Sequence, residues 1–207
     1  MNALLQSASS SLPRPDQAPA WTLPDLAGRL VELSGDAASA SLTAAFGLVL
    51  ETQLAGDRAA WITLPGSSFF PPDVADGGVD LAALPVVRVP DARTAGRAAD
   101  HLARSGGFGL IVIDLAAHEG RTDALIPVPL LTRLLGLARA HAAAILILTR
   151  KSHEDPSLNS LISLRVVTVR SANAPGRYQV QVRALKDKRA GPGWSHGETC
   201  RGPAGVR

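Results

Sequence analysis

Two uninterrupted apolar runs constrain the fold of this chain more than any other feature. Residues 110–114 (LIVID) and 144–149 (AILILT) are almost wholly aliphatic and lack the polar alternation of a half-exposed strand. Such runs are typical of parallel strands that are covered by helices on both faces. The sequence therefore predicts a buried parallel sheet in an α/β domain. Asp114 is expected at its carboxyl edge, where open sheets of this kind bind ligands.

Strand and helix signals alternate along most of the chain. Two strands with more polar alternation then follow each other directly and predict an antiparallel hairpin through residues 171–177. This order predicts a three-layer α/β fold with a mixed, mainly parallel central sheet. Strands are expected at 29–34, 59–64, 86–89, 110–114, 144–149, 163–170 and 179–185, and helices at 39–55, 91–105 and 128–141.

Length and composition favour one domain with two tails. At 207 residues, the chain is long enough to bury a core as a single domain, expected over residues 26–189. Residues 1–25, rich in Ser, Pro and Ala, are expected to form a flexible arm, and residues 190–207 a flexible basic tail. The start of the chain lacks a signal-peptide pattern, no apolar run suits a membrane span, and Cys200 is the single cysteine. A cytoplasmic location is expected.

Residues 29–43 (RLVELSGDAASASLT) have the layout of a phosphate-binding loop without its functional side chains. An apolar strand runs into Gly35, and a helix rich in Ala and Leu begins near Ser39, which is the order of a nucleotide-triphosphate site. A working loop ends in Gly-Lys-Ser/Thr, whose lysine neutralises the phosphates and whose hydroxyl holds Mg²⁺. Here those positions are Ala40, Ser41 and Leu42. The charge and the metal ligand are both missing.

Two interpretations of this loop are open. It is either a relic that still admits a phosphate at the helix N-terminus, or a plain turn, which the like charge of Asp36 favours. Asp114 is either a retained Mg²⁺ ligand or a polar strand end, and the missing hydroxyl at Leu42 favours the second. We expect no catalytic residue, no metal site and no useful ATP turnover. The residues assigned to the degenerate loop are Gly35, Asp36, Ser39, Ser41 and Asp114.

Basic residues are concentrated in the last part of the chain. Residues 1–149 carry a net charge of −4, whereas residues 150–207 carry +7. This asymmetry favours a polyanion or an acidic protein surface as partner, although a solvated arginine-rich surface explains it equally well. Contact with DNA would be independent of sequence, because the chain shows no base-reading helix. The candidate DNA-binding or partner-binding residues are Arg150, Lys151, Arg183, Lys186, Lys188, Arg189 and Trp194, the last as a stacking platform.

Over residues 29–188 the order and spacing of these motifs resemble the core of RecA recombinases. Residues 29–35 are similar to the strand that leads into the RecA phosphate loop. Residues 78–117 resemble the RecA segment from a GVD-L turn to the Walker B strand. Residues 185–188 (LKDK) resemble the two RecA lysines that reach a neighbour's nucleotide across a filament interface. The resemblance implies a RecA-like, P-loop NTPase-type fold.

The departures from RecA fall on catalytic positions. Pro65 stands where the family has the glutamate that activates water, and proline cannot act as a general base. Arg150 falls near the place of the glutamine that senses the γ-phosphate. The two loops that bind single-stranded DNA look shortened. Together with Ser41 and Leu42, these losses imply a RecA-like protein that is not an enzyme.

Residues 187–198 (DKRAGPGWSHGE) are basic, glycine-rich and contain a tryptophan. A degenerate RecA-like core followed by such a segment resembles the ImuA family, the RecA-related accessory proteins of bacterial SOS mutagenesis cassettes. The resemblance implies a role in translesion synthesis, with RecA, an ImuB-type polymerase-like protein or DNA as partner. The alternative is a divergent RecA-family ATPase that depends on Asp114, ATP and Mg²⁺. No cofactor is expected for the first function, and the oligomeric state is left open.

Overall fold

Helices and strands alternate through the described part of the chain. The computed structural model describes residues 19–35, 39–67, 69, 71–117, 126–174 and 177–201. The helices are α1 (Leu23–Leu26), α2 (Ser41–Leu54), α3 (Pro71–Asp76), α4 (Ala92–Arg104) and α5 (Val128–Ala140). The strands are β1 (Arg29–Gly35), β2 (Ala59–Thr63), β3 (Val86–Arg88), β4 (Leu110–Asp114), β5 (Ala144–Arg150), β6 (Leu164–Ala174), β7 (Arg177–Asp187) and β8 (Ser195–Arg201).

All eight strands form one sheet in the order β3-β2-β4-β5-β1-β6-β7-β8. The first six strands in this order (β3, β2, β4, β5, β1 and β6) pair in parallel, whereas β7 pairs antiparallel with both β6 and β8. The predicted α/β class with a mixed, mainly parallel sheet is therefore confirmed. The predicted hairpin is confirmed as well, because β6 and β7 are neighbours along the chain and in the sheet.

Two helical layers cover the central strands. On one face α2 packs against side chains such as Val31 and Leu33 of β1. On the other face α4 and α5 pack against side chains such as Ile111 and Ile145. Every residue of β2 and β4 is buried as a result. Burial on both faces explains why these strands read as apolar runs without alternation.

The predicted element boundaries lie close to those of the structure. α4 begins after Asp91, whose carboxylate accepts a hydrogen bond of 2.7 Å from the Thr94 amide, the cap that the sequence predicts. β4 spans Leu110–Asp114, as expected. β6 and β7 extend further than their sequence signals, because these longer parts lie beyond the helical layers and need no apolar pattern.

The expectation of a flexible tail over residues 190–207 is wrong for residues 195–201. This segment forms β8, which pairs antiparallel with β7. Its sequence (SHGETCR) is polar because most of its side chains are exposed, so no hydrophobic period reveals the strand. The expected arm also ends early, because Trp21 is only 5 % exposed and its Nε1 donates to the Ala44 carbonyl over 3.1 Å. Residues 1–18 and 202–207 lie outside the described residues.

The helices are short relative to a lipid bilayer. Among the described residues, none combines the length and the hydropathy that a membrane span requires. The longest of them, α2, has 14 residues and lies against the sheet.

Candidate functional site

The carboxyl ends of four central strands meet at one edge of the sheet, here called the carboxyl edge. β1 ends at Gly35, which pairs with Arg150 at the end of β5. β4 ends at Asp114 beside Leu148, and Pro65 follows β2 at the same edge. Open α/β sheets bind their ligands at this edge. The structure thus brings together Gly35, Asp114 and Arg150, as the motif order predicts.

Hydroxyl side chains close the turn that follows β1. A Cβ atom at Gly35 would lie 2.6 Å from Ser41 Oγ and against the Ser39 side chain, so only glycine fits. Ser39 Oγ lies 2.9 Å from Ser41 Oγ, which lies 3.1 Å from Thr168 Oγ1 on β6. These hydrogen bonds tie the start of α2 to the sheet. Asp36, the acidic member of the predicted loop, lies outside the described residues.

Donors of the protein itself hold the Asp114 carboxylate. Asp114 is 1 % exposed, Ser67 Oγ donates to its Oδ2 over 2.7 Å, and the Ala116 amide donates to its Oδ1 over 3.1 Å. A metal ion would have to share this carboxylate with these donors. Within the described ranges, no group of three or more His, Cys, Asp and Glu side chains is arranged to hold an ion. The contacts agree with Asp114 as a structural strand end.

At the carboxyl edge, the positions of the clamp lysine and of the metal-binding hydroxyl hold other side chains. The lysine position is Ser41, whose hydroxyl is bonded to Thr168, and the hydroxyl position is Leu42, which packs against the core. Phosphoryl transfer needs a cationic clamp on the phosphates and oxygen ligands for the metal. Among the described residues of this edge, the Ser41 hydroxyl and the Asp114 carboxylate are bonded within the protein, and the exposed cation is Arg150 at the end of β5 rather than a lysine at position 41.

A buried ion pair that the sequence does not reveal lies beneath this edge. Glu32 of β1 is fully buried, and its Oε1 lies 2.9 Å from Lys151 Nζ. Thr149 Oγ1 donates to the same oxygen over 3.0 Å, and the Leu158 amide donates to Oε2 over 2.7 Å. The Lys151 side chain is 5 % exposed and also donates to the Pro156 carbonyl. Lys151 is therefore no surface contact for DNA or a partner, contrary to the sequence-based expectation.

Arg165 of β6 extends the same buried network. Its Nε donates to Ser34 Oγ over 3.2 Å, and its Nη2 donates to the Ser152 carbonyl over 2.7 Å. Its Nη1 donates to the Asp155 carbonyl. Glu32, Lys151 and Arg165 lie on the same face of the sheet as α4 and α5, and together they bind residues 151–163 beside these helices.

Asp187, at the end of β7, joins the strand to two distant side chains. Its Oδ1 accepts from Arg29 Nη2 over 2.5 Å, and its Oδ2 accepts from Trp194 Nε1 over 3.0 Å. Burial acts to raise the pKa of this carboxyl, but the hydrogen bonds from Arg29, the Arg189 amide and Trp194 outweigh it and hold the pKa below its ordinary value. Trp194 packs against the core through this contact, so it is not the mobile stacking platform that the sequence predicts.

Four cations lie in a line along β7, on the face of the sheet opposite α2. Arg177 and Arg183 are exposed and alternate with the buried Val180, Val182 and Ala184. A register shift between β6 and β7 then places Lys186 opposite Arg165, on the same face. Lys188 Nζ reaches the Ser160 carbonyl in the loop on that face. We call this line, formed by Arg177, Arg183, Lys186 and Lys188, the basic face of β7.

The cations of the basic face of β7 repel one another, and Lys186 among them is partly buried. Burial and the neighbouring Lys188 and Arg165 lower the pKa of Lys186, and the buried carboxylate of Glu32 partly opposes them. On this face β6 contributes Val167, Val169 and Ser171, and β8 contributes Ser195, Gly197 and Thr199. Among the described side chains of these three strands, none on this face is acidic. A polyanion bound here would offset the repulsion among the cations.

The remaining candidates do not join the basic face of β7. Arg150 is exposed at the carboxyl edge, on β5. Arg189 donates to the backbone carbonyls of Asp25 and Ala27, near the start of β1. Arg150 and Arg189 therefore lie near opposite ends of β1, which are about 20 Å apart. Arg177 is not among the residues predicted from the sequence. Its spacing of six residues from Arg183 is a multiple of the two-residue strand period, which could have placed both on one face.

Comparisons with known proteins do not assign the chain to a family. No protein-family model matches it. No curated protein matches it significantly either. Its function is therefore inferred from the contacts and charges described above.

Proposed function

We propose that this chain is a non-catalytic accessory protein with a RecA-like core, similar to the ImuA family, that acts in the bacterial SOS response in the cytoplasm. It supports translesion synthesis by binding DNA without sequence preference, RecA, or an ImuB-type polymerase-like protein. DNA is the partner that the geometry favours, through the basic face of β7. The carrying observation is a contrast: Ser41 and Asp114 of the carboxyl edge are bonded within the protein, whereas Arg177 and Arg183 of the basic face are exposed.

The carboxyl edge supports the non-catalytic part of this proposal. Ser41 is bonded to Thr168, and both oxygens of Asp114 have protein donors. A nucleotide bound here would meet no lysine at position 41 and no hydroxyl at position 42. Preorganised charge is the main source of catalysis in phosphoryl transfer, and the clamp that usually supplies it is replaced.

The basic face of β7 supports the binding part. From Arg177 to Lys188 the line extends over about 35 Å, at about 3.3 Å per strand residue. Nonspecific binding of single strands uses a basic surface that follows the phosphate backbone. A nucleic-acid strand of several nucleotides matches this length and charge. An acidic surface of RecA or of a polymerase-like protein is the rival partner for the same residues.

Nucleotide binding tests the non-catalytic part. We expect a fluorescent ATP analogue with Mg²⁺ to show no saturable binding to the full chain at micromolar concentration. The rival function, a divergent ATPase, predicts micromolar binding that Asp114→Ala abolishes. Ser41→Lys is a gain-of-function comparison, since it restores the clamp residue at its own position. Micromolar binding by the wild type that depends on Asp114 would overturn the proposal.

Capture from a lysate of damaged bacterial cells separates the partners. Wild-type chain is compared with Arg183→Glu/Lys186→Glu, before and after nuclease treatment. Retention of DNA that is lost in the variant supports direct DNA binding. Nuclease-resistant retention of RecA or of a polymerase-like protein, lost in the same variant, supports docking on protein. Equal capture by the two chains would contradict a role for the basic face of β7.

A further inference from the structure

The two edges of the sheet differ in how they are protected. β3, at one edge, has only three residues and lies between Pro85 and Pro90. β8, at the other edge, has seven residues and pairs regularly with β7 over Ser195–Arg201. Natural edge strands are protected from further pairing by short length, lysine, proline or bulges. β8 contains no lysine, proline or bulge, its charged residues are Glu198 and Arg201, and among the described residues no strand pairs with its outer side.

The register of β8 defines which backbone groups point outward. The Ala184 amide donates to the Trp194 carbonyl over 2.9 Å, which sets the phase of the ladder between β7 and β8. His196 and Glu198 have the same phase, so their backbone groups bond to β7. The N–H and C=O groups of Ser195, Gly197 and Thr199 therefore point away from the sheet. They form a regular row of donors and acceptors.

The sequence of β8 is complementary to itself when two copies run antiparallel. With Gly197 opposite Gly197 of a second copy, His196 lies opposite Glu198 and Ser195 lies opposite Thr199. An imidazole then faces a carboxylate, and a hydroxyl faces a hydroxyl, which are favourable cross-strand pairs. His196 and Glu198 already form this kind of contact within one copy, at 3.1 Å between Nε2 and Oε1. Gly197 places no side chain at the centre.

We propose that β8 is a dimerisation strand that pairs with β8 of a second copy, antiparallel about a two-fold axis at Gly197. Ser195, Gly197 and Thr199 of the two copies exchange about six hydrogen bonds. Each His196 lies opposite a Glu198 of the other copy. The sheet continues from one copy into the other, with both basic faces of β7 on the same side. These faces lie about 14 Å apart, three strand spacings. The dimer is independent of the proposed DNA binding.

A charge swap tests the pairing. Sedimentation equilibrium of the full chain is expected to show a dimer that dissociates on dilution. His196→Glu places carboxylates opposite each other in both cross-strand pairs and is expected to raise the dissociation constant about tenfold or more. The double variant His196→Glu/Glu198→His restores both pairs in reversed order and is expected to return within about threefold of the wild type. A double variant as weak as the single one would overturn the pairing.

A backbone substitution tests the strand edge itself. Thr199→Pro removes an N–H that faces outward and leaves the bonds to β7 in place, so the chain is expected to fold but to lose the dimer. Thr199→Val retains the N–H and is the matched control, with a dissociation constant close to that of the wild type. Circular dichroism verifies that both variants fold. A wild-type chain that stays monomeric at about 100 µM, or a folded Thr199→Pro variant that dimerises normally, would overturn the proposal.

Discussion

Glu32 and Lys151 form an ion pair of 2.9 Å between side chains that are 0 % and 5 % exposed. Taking two charges out of water costs several kcal/mol each, so such a pair needs further hydrogen bonds to be stable. Thr149 and the Leu158 amide donate to the carboxylate, and the ammonium donates to the Pro156 carbonyl. The pair therefore fastens the segment after β5 to the middle of β1.

Replacing Lys151 with Met is expected to lower the free energy of unfolding by about 3–5 kcal/mol, because Glu32 is left as a buried charge without its partner. Urea unfolding followed by tryptophan fluorescence measures this loss. DNA affinity of the folded fraction is expected to be unchanged, since the ammonium is not at the surface.

The double variant Glu32→Leu/Lys151→Met is the control for this prediction. It removes both charges, so it is expected to recover most of the lost stability, although the Leu158 amide loses its acceptor at a cost of about 1–3 kcal/mol. A Lys151→Met chain with the unfolding midpoint of the wild type and reduced DNA affinity would instead identify Lys151 as a ligand contact.

Asp187→Asn is expected to make the stability of the chain less dependent on pH. Hydrogen bonds from Arg29, the Arg189 amide and Trp194 hold the pKa of Asp187 below its ordinary value of 3.8. A carboxyl with a lowered pKa in the folded state stabilises the fold above its unfolded pKa. That contribution is lost as the pH falls through the folded pKa.

The lowered pKa of Asp187 determines how the stability difference between variant and wild type changes with pH. At neutral pH the variant is expected to be less stable than the wild type by about 1.5–3 kcal/mol, since the hydrogen bonds from Arg29, the Arg189 amide and Trp194 lose a charged acceptor. The difference is expected to shrink below about pH 4 and to approach zero once the wild-type carboxyl is protonated. Urea unfolding between neutral and acidic pH measures it. A gap that stays constant down to the acid limit would mean that this carboxyl does not act through its charge.

The central strands could be predicted from the sequence because burial on both faces produces a continuous run of apolar residues. β4 and β5 are covered on both faces, so β4 is apolar up to Asp114 and β5 is apolar up to Thr149. The cap at Asp91 is similarly local, since its acceptor and donor are three residues apart. Such features depend on neighbours in the chain, and a single sequence contains them.

Features that depend on distant contacts could not be predicted in this way. Glu32 and Lys151 are far apart in the chain and meet only because β1 and β5 are neighbours in the sheet. β8 gave no signal because an exposed edge strand needs no apolar alternation. Trp194 reads as part of a mobile tail until Asp187 is placed beside it. The closed turn at Gly35 also depends on Thr168 of β6, which bonds Ser41.

Gly35→Ala is expected to destabilise the fold by about 1–3 kcal/mol, because the added Cβ would lie 2.6 Å from Ser41 Oγ. Thermal unfolding measures this. Ser39→Gly in the same chain removes part of the obstruction and is expected to recover some of the loss. Gly47→Ala is the matched control within α2, where nothing lies within 4 Å of the new Cβ. It is expected to stabilise the helix by about 0.5–1 kcal/mol. Equal effects at Gly35 and Gly47 would contradict the close packing of the turn.

Single-stranded DNA binding is expected to be salt-dependent and to weaken when the basic face of β7 loses charge. Each phosphate contact contributes about −0.7 to the slope of log K against log salt for single strands. Arg183→Ala/Lys186→Ala is therefore expected to reduce the magnitude of that slope by about 1.4, measured by fluorescence anisotropy over a salt series. Arg93→Ala/Arg97→Ala removes the same charge from exposed positions of α4 and is expected to leave the slope nearly unchanged. If both double variants reduce the slope equally, binding follows net charge, and β7 is not its site.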